Sequence, residues 1–442
     1  MPGSLYIHRN FYLALMGICL LFVFGIALAW AFTLGMIGLG FLLICSGYDL
    51  YQLWRGPKHM VQARRIVADH LSNGDYNPVR IILSHQYPFL CHIEMLDELP
   101  VQFQARDQSW HVKVRAGEKQ EIAYQVRPVE RGLYAFGSVN LYVDGPLQLM
   151  RRRFVFVNDQ VVKVYPSYLQ LRKFAFLAFD RRLQMPGRKR MRRIGHTTEF
   201  EQIKEYVIGD DSRTINWKAT ARAGRAMVNQ YRDERAQPVY CLIDKGRLMQ
   251  MPFDGMTLLD YAINTALVMS HIAIRKEDHA GLLAFADHVD TFVVASRRNN
   301  QMYRISEALY AQETGFPEAD FERLYLGVNR MIRQRSLLLL FTNFESIQGL
   351  RRQLPYLRKL AETHVLVVIF FQNTELAQLI SEKADTLRQV YHQTIAQRMQ
   401  QSKEQMGILL RQHGIHTILT IPRDLTVDTI NQYLELKARG LA

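Results

Sequence analysis

The pattern of apolar and polar positions changes twice along the chain and defines three regimes. From residue 11 to residue 54 the sequence is almost continuously apolar, about twice the ~20 residues that one membrane-crossing helix needs. Thr33-Leu34-Gly35 is the natural place for a tight reversal, which predicts spans over residues 11–31 and 34–53. A cleaved signal peptide fits poorly, because no small-residue cleavage site leads from this run into polar sequence. Gly35, Gly38 and Gly40 have two readings: close approach of two helices, or the general tolerance of membrane helices for glycine.

From about residue 62 to 165 the pattern turns to short alternating or β-branched runs. They are Val79-Arg80-Ile81-Ile82-Leu83-Ser84, His92-Ile93-Glu94-Met95-Leu96-Asp97, Trp110-His111-Val112-Lys113-Val114-Arg115, Glu121-Ile122-Ala123-Tyr124-Gln125-Val126 and Ser138-Val139-Asn140-Leu141-Tyr142-Val143. Asn73-Gly74, Gly117, Arg131-Gly132 and Asp144-Gly145-Pro146 punctuate them with turn chemistry. Short strands at this spacing predict an all-β, immunoglobulin-like sandwich. It holds no catalytic constellation and reads as a spacer or docking module.

After Pro238 strand and helix alternate to the end. Strands are expected at 239–244, 281–286, 292–295, 336–341, 365–371 and 415–421. Helices are expected at 258–276, 303–310, 321–333, 347–362 and 427–437, with a long helical region, continuous or broken, over 375–412. This is a doubly wound α/β (Rossmann-like) pattern, in which ligands sit at the carboxyl ends of the strands. The domain boundaries follow: 1–58 for two transmembrane helices, 59–166 for the sandwich, 167–237 for a basic linker with the dense motif described below and 238–442 for the α/β domain.

Charge refines this picture. The chain carries a formal +14, which calls for an acidic partner, an anionic membrane face or a cytoplasmic bias of positive residues. His8, Arg9, Arg55, Lys58, Arg64 and Arg65 flank the apolar hairpin on one side. By the positive-inside rule both of its ends face the cytoplasm, so the expected location is multi-pass in the inner membrane with the bulk of the chain cytoplasmic. Arg181, Arg182, Arg188, Lys189, Arg190, Arg192 and Arg193 form a basic cluster suited to lipid headgroups or an acidic partner. Without aromatic interleaving or a reading fold it does not indicate nucleic acid. Cys19, Cys45, Cys91 and Cys241 have no paired spacing, as befits a reducing compartment.

The densest stretch lies between the second and third regimes, from Thr197 to Arg222. Thr198-Glu199-Phe200-Glu201 has the form of a capping box, and Phe200, Ile203 and Val207 recur at helical spacing before Gly209, which predicts a helix. Asp210, Asp211 and Ser212 are suited to cap a second short helix bearing Ile215, Trp217 and Ala219 and closed by Gly224. As an enzyme site the stretch would enlist His196, Glu199, Asp210 and Asp211, but it offers no nucleophile paired with a base and no phosphate loop. As a structural clasp, Glu199, Asp210, Asp211, Arg213, Lys218 and Arg222 would form salt bridges over a packed Trp217. As a dock, part of the same surface would receive a partner. Clasp and dock are compatible, and no catalytic residue is assigned.

The run E-F-x-x-I-K-x-Y-x-x-G-D-D-x-R-x-I-N-W-K-A-T-A-R, through Glu199, Phe200, Tyr206, Gly209, Asp210, Asp211, Arg213, Trp217, Lys218 and Arg222, resembles the signature of the domain-of-unknown-function family fifty-eight. Arg131-Gly132-Leu133-Tyr134, Asp144-Gly145-Pro146-Leu147 and Tyr433-Leu434-Glu435-Leu436-Lys437 agree with it. The resemblance implies a membrane-anchored protein, a MoxR-type AAA+ ATPase as partner, and a von Willebrand factor A-like C-terminal domain. Such domains often hold Mg²⁺ through Asp-x-Ser-x-Ser after the first strand and a later acid. Here the first motif reads Asp244-Lys245-Gly246-Arg247-Leu248, and the later position is Asn343. Mg²⁺ needs hard oxygen ligands, and Lys245 and Arg247 add positive charge, so neither a metal nor another cofactor is expected. Asp244 would either pair with a neighbouring cation or leave this face open to an acidic group of a partner. The combined expectation is a cytoplasm-facing scaffold or adaptor at the membrane, possessing protein partners and lipid contacts, other membrane proteins of the same system among them. The alternatives are a hydrolase-like enzyme using the acidic motif and a binder of anionic lipid.

Overall fold

The computed structural model describes residues 4–26, 28–55, 60–104, 108–157, 159–167, 198–207, 215–233, 236–381 and 386–441, with only the backbone for 198–202, 230–233, 375, 377 and 378. The chain divides into two compact units, Met1–Tyr165 and Pro166–Ala442.

The first unit opens with a short strand, β1 (Leu5–Ile7), followed by α1 (Arg9–Gly25) and α2 (Ala29–Trp54). Among the described residues, α2 is the one helix long and apolar enough to cross a membrane, and α1 is apolar but shorter. The two helices are separated between Gly25 and Ala29 and not at the expected 33–35, because α2 runs straight through Gly35. A Cβ on Gly35 would lie 3.0 Å from the Phe22 ring, and one on Gly38 would lie 3.5 Å from Ile18. These two glycines therefore let α1 and α2 pack antiparallel. Gly40 has no such neighbour within 4 Å.

Ten more strands follow: β2 (Val61–Ile66), β3 (His70–Ser72), β4 (Asn77–His85), β5 (Cys91–Asp97), β6 (Ser109–Val114), β7 (Lys119–Val126), β8 (Gly132–Phe136), β9 (Val139–Asp144), β10 (Met150–Phe156) and β11 (Gln160–Tyr165). They form sheets ordered β1-β10-β9-β5-β6, β2-β4-β7 and β3-β11-β8. Every second residue of β5 is buried, and Ile81, Leu83, Ile93, Met95, Leu141 and Val143 join the first two sheets in one core. The period of two is thus the cause of the layered packing. Arg65, expected to flank the hairpin, is buried instead. It pairs with Asp97 and donates to Gly137 O at 2.9 Å.

Both ends of the hairpin are tied to this unit. β1 pairs antiparallel with β10. At the far end Asp49, fully buried on α2, accepts from the backbone N–H groups of Leu147 (2.8 Å), Leu149 (2.8 Å) and Met150 (3.3 Å). Four residues on, Leu53 O accepts from Tyr87 Oη at 3.1 Å and from Arg152 Nη1 at 2.7 Å. Helix carbonyls near a C-terminus lack intrahelical donors, and here side chains of the β-unit supply them. The loop after β9 approaches Asp49 so closely that a Cβ on Gly145 would lie 2.6 Å from Asp49 Cγ.

The second unit begins, within its described residues, with β12 (Thr198–Glu205), α3 (Trp217–Ala223) and β13 (Met227–Asp233). It continues through β14 (Pro238–Asp244), α4 (Leu258–Arg275), β15 (His279–Phe285), β16 (Val289–Ser296), α5 (Gln301–Tyr310), α6 (Phe321–Met331), β17 (Leu337–Phe341), α7 (Ile347–Thr363), β18 (Val365–Phe371), α8 (Thr374–Ser381), α9 (Leu387–Gln412), β19 (His416–Thr420) and α10 (Leu425–Ala438). The six-stranded sheet runs β16-β15-β14-β17-β18-β19, all parallel except the edge strand β16. Residues of α4, α5 and α10 bury one face with Val239, Cys241 and Ile243, while residues of α6, α7 and α9 bury the other with Tyr240 and Leu242. Burial on both faces is why these strands read as unbroken apolar runs. The chain changes direction across the sheet between β14 and β17, and their carboxyl ends form its topological switch point.

Candidate functional site

The first candidate is the signature stretch. Residues 198–205, expected as helix, are the strand β12, paired antiparallel with β13 and bulged between Phe200 and Gln202. The helical spacing of Phe200, Ile203 and Val207 is overridden by pairing with a strand more than twenty residues away, a common outcome where tertiary context competes with local pattern. The second short helix does form as α3, but Asn216 caps it, by accepting from Ala219 N at 3.0 Å. Asn216 Nδ2 also donates to Asn229 Oδ1 (2.8 Å), Asn216 N donates to Met227 O (2.8 Å), and Thr220 Oγ1 accepts from Met227 N (3.0 Å). Gly224 ends the helix at φ +67°, a left-handed conformation that suits glycine. Asn216 and Thr220, neither among the expected site residues, thus lock helix to hairpin.

The remaining signature residues divide. Trp217, expected beneath a clasp, is 73% exposed. Lys218 and Arg222 are exposed too, and no ion pair among the described residues reaches them. The hairpin's one described ion pair joins Arg225 and Glu205 at 3.1 Å, with both side chains in water. Tyr206 is half-buried and its N–H donates to Ala226 O at 2.9 Å. Glu199 and Phe200 lie in β12, where only the backbone is described. Gly209, Asp210, Asp211, Arg213 and the basic cluster at 181–193 lie outside the described residues.

The second candidate is the switch point. Asp244 ends β14 with its carboxylate buried. Among the described residues it makes no ion pair with a neighbouring cation. Thr342 Oγ1 donates to Asp244 Oδ2 at 2.6 Å, and Gly246 N donates to Oδ1 at 2.7 Å. Burial pushes this carboxyl up to about 6, and these two donors oppose the rise. Lys245 turns the other way, pairing with Asp290 and donating to Glu313 O at 3.2 Å. Asn343 Oδ1 accepts from Lys403 Nζ at 2.6 Å, and Lys403 also donates to Phe344 O. Burial lowers the Lys403 ammonium to about 8. A Cβ on Gly246 would meet Ala319 Cβ and Asp244 Oδ1, each at 2.8 Å.

A divalent cation does not fit these residues. Both oxygens of Asp244 already accept hydrogen bonds, Asn343 offers its carbonyl to an ammonium, and the loop has no space for a serine at 246. Two hydroxyl positions of the metal motif are thus closed by packing or sequence, and Lys403 brings a positive charge to the position of the later acid. Thr342 and Lys403 escaped the sequence argument. Lys403 lies on α9, sixty residues from its acceptor, and no local pattern marks it.

A third cluster explains the motif near the C-terminus. Tyr433 and Lys437, one helical turn apart on α10, both donate to the buried Asp278 carboxylate, Lys437 at 2.8 Å.

Comparison with known proteins adds a family match over part of the chain. The model of the family described as "Protein of unknown function DUF58" matches residues 202–410, from β12 into α9. The uncharacterized protein YeaD of Bacillus subtilis (strain 168) is 23% identical over 264 residues, 58% of this chain and 62% of the relative, so the alignment leaves more than a third of that relative uncovered. Among solved structures, the CARDB domain of a Pyrococcus furiosus protein is 12% identical, covers 24% of this chain and 86% of its own, and has a TM-score of 0.18. The proximal thread matrix protein 1 of the mussel byssus is 11% identical, covers 46% and 47%, and has a TM-score of 0.26. Scores this low do not define a shared fold.

Proposed function

We propose that this chain is a membrane-anchored adaptor that binds other proteins and performs no chemistry of its own. The observation that carries the reading is Trp217. It stands in solvent on a short helix whose backbone is already fixed by Asn216 and Thr220, beside exposed Lys218 and Arg222. A motif needed only for folding would bury its largest side chain. Exposed Trp and Arg on a rigid element are the residue types that dominate protein interfaces. The switch point supports the same reading, since its carboxylate is committed to Thr342 and Gly246 and its amide oxygen to Lys403. In this reading the β-unit is an immunoglobulin-like spacer and the α/β unit a metal-free von Willebrand factor A-like binding domain.

The hairpin lies in the inner membrane with both α1 and α2 embedded. Because both of its ends join the β-unit, that unit sits on one side of the bilayer, and the positive residues around the hairpin make it the cytoplasmic side. The partner is a MoxR-type AAA+ ATPase, with other membrane proteins of the same system as clients in assembly or maturation of envelope complexes. The test is a pull-down from native membranes in mild detergent, with and without ATP, using the wild type and Trp217→Ala. An ATPase retained in a nucleotide-dependent way, and lost from a folded Trp217→Ala variant, supports the adaptor. No ATPase under either condition removes this role. A chemical activity of the pure protein that Asp211→Ala abolished would make it an enzyme.

A further inference from the structure

The first half of α9 turns its apolar side away from the domain. From Leu387 to Met399 nearly every residue is exposed, while Ala396 is buried and Gln393 and Gln400 are half-buried, so that flank faces the protein. At 3.6 residues per turn the opposite flank carries Leu387, Val390, Tyr391 and Ile395, with Met399 at its margin. These side chains are 89%, 49%, 66%, 40% and 48% exposed. A surface helix ordinarily turns its apolar stripe inward, and a cluster of large exposed apolar side chains marks an interaction site. The helix does not depend on that flank for order. Thr386 and Gln389 close a capping box at its start, and Gln393 Nε2 donates to Leu379 O of α8 at 3.1 Å.

Charge narrows the choice of occupant. Arg388 and Arg398 are exposed on this stretch, and no acid occurs between Asp385 and Glu404. A second copy would set arginines against arginines. An anionic surface complements the face, and a convex helix flank with apolar side chains between cations matches helices that lie in a bilayer interface. Arg398 projects within the apolar flank, where its stem can lie on lipid while the guanidinium reaches a phosphate. The covalent link to an apolar hairpin also raises the effective concentration of bilayer at α9.

We propose that the outward flank of α9 docks on the anionic headgroup surface of a lipid bilayer, with Leu387, Val390, Tyr391 and Ile395 entering its apolar boundary. The proposal rests on the reading of the hairpin as membrane-embedded and adds a second, reversible lipid contact for the α/β unit. The test uses the full chain in lipid nanodiscs of phosphatidylcholine alone or with about 30% phosphatidylglycerol. Cys19 and Cys45 are replaced by Ala, since Cys91 and Cys241 are buried. Single fluorophores are placed by Tyr391→Cys, Ile395→Cys and Phe41→Cys, and by Tyr303→Cys at an exposed position of α5, on the face of the sheet opposite α9, and quenching by doxyl-labelled lipid is read.

Quenching at 391 and 395 that is several-fold stronger than at 303 in anionic discs is the expected result. It should fall to the level at 303 in neutral discs or on Arg388→Glu/Arg398→Glu. An unquenched label at 41 would mean that the hairpin is not in lipid, and the anchoring reading itself would fail. A quenched label at 41 with unquenched labels at 391 and 395 overturns the docking alone. So does equal quenching in neutral and anionic discs. Shielding of 391 and 395 from aqueous iodide without lipid quenching would mean that a protein, or a second copy, covers the flank, and this also overturns it.

Discussion

Replacing Asp49 by alanine should detach the end of α2 from the β-unit. The carboxylate is buried and accepts three backbone N–H groups, from Leu147, Leu149 and Met150. Hydrogen bonds to a charged group contribute about 1.5–3 kcal/mol each, and each buried donor left unpaired costs about 1–3 kcal/mol. The contributions overlap, so about 4 kcal/mol is expected for the cage as a whole, within the range for breaking a buried charged network. That corresponds to roughly a thousandfold in a local opening equilibrium. Hydrogen exchange at the Leu147 and Leu149 amides of the full chain reads it directly, because local opening sets the rate there. Gly145→Ala supplies the internal check. Its methyl would meet Asp49 Cγ at 2.6 Å, so alone it should cost about 1–3 kcal/mol through overpacking. With Asp49→Ala the obstruction is gone, and the double variant should behave like Asp49→Ala alone. Unchanged exchange in Asp49→Ala, or costs of the two substitutions that simply add, would refute the cage.

Other consequences can be measured on the α/β unit. Burial raises the Asp244 carboxyl from its ordinary 3.8 to about 6, so the folded state holds this proton more tightly than the unfolded chain does. Its stabilisation is complete below pH ~4 and lost as pH rises through about 6. Asp244→Asn should therefore reduce the fall in stability between pH 4 and pH 7 by about 2 kcal/mol, and parallel pH profiles of variant and wild type would contradict this. Lys437→Met leaves the buried Asp278 carboxylate without its cation and should cost about 3–5 kcal/mol, whereas Tyr433→Phe should cost about 1–2 kcal/mol. Equal shifts of the melting temperature would mean the ammonium has no special role. Millimolar Mg²⁺ should leave the melting temperature unchanged in the wild type and in Gly246→Ser, the latter being destabilised by contact with Ala319; a rise with Mg²⁺ would mean that the site accepts the ion.

Where an element is stabilised by its own pattern, it was legible in the sequence. The runs at 337–341 and 365–371 are apolar because both faces of the sheet are covered, and β4 and β5 alternate because one face is. Elements made by distant partners were not legible. β10 hides behind Arg151, Arg152 and Arg153, each matched elsewhere: Arg151 with Asp144 and Glu94, Arg152 with Leu53 O, Arg153 with Asn140. β12 has helical spacing but a strand for a neighbour. Gly35 has the chemistry of a turn, but its missing side chain makes room for the Phe22 ring instead. Asp49 did carry a signal, a lone carboxylate inside an apolar run, since such residues seldom lack a fixed partner. At the switch point the sequence marked Asp244, Gly246 and Asn343, but their partners Thr342 and Lys403 are set by the fold.

The anchoring on which the adaptor reading depends can be tested by thiol accessibility in intact cells. In a chain freed of its four cysteines, Ile26→Cys at the exposed tip of the hairpin and Val101→Cys on the β-unit are each challenged with a membrane-impermeant maleimide. Labelling of residue 26 from outside, with residue 101 reached only after the cells are opened, is the predicted result. Labelling of both residues from outside, or of neither until the cells are opened, would contradict a two-span hairpin with the rest of the chain in the cytoplasm.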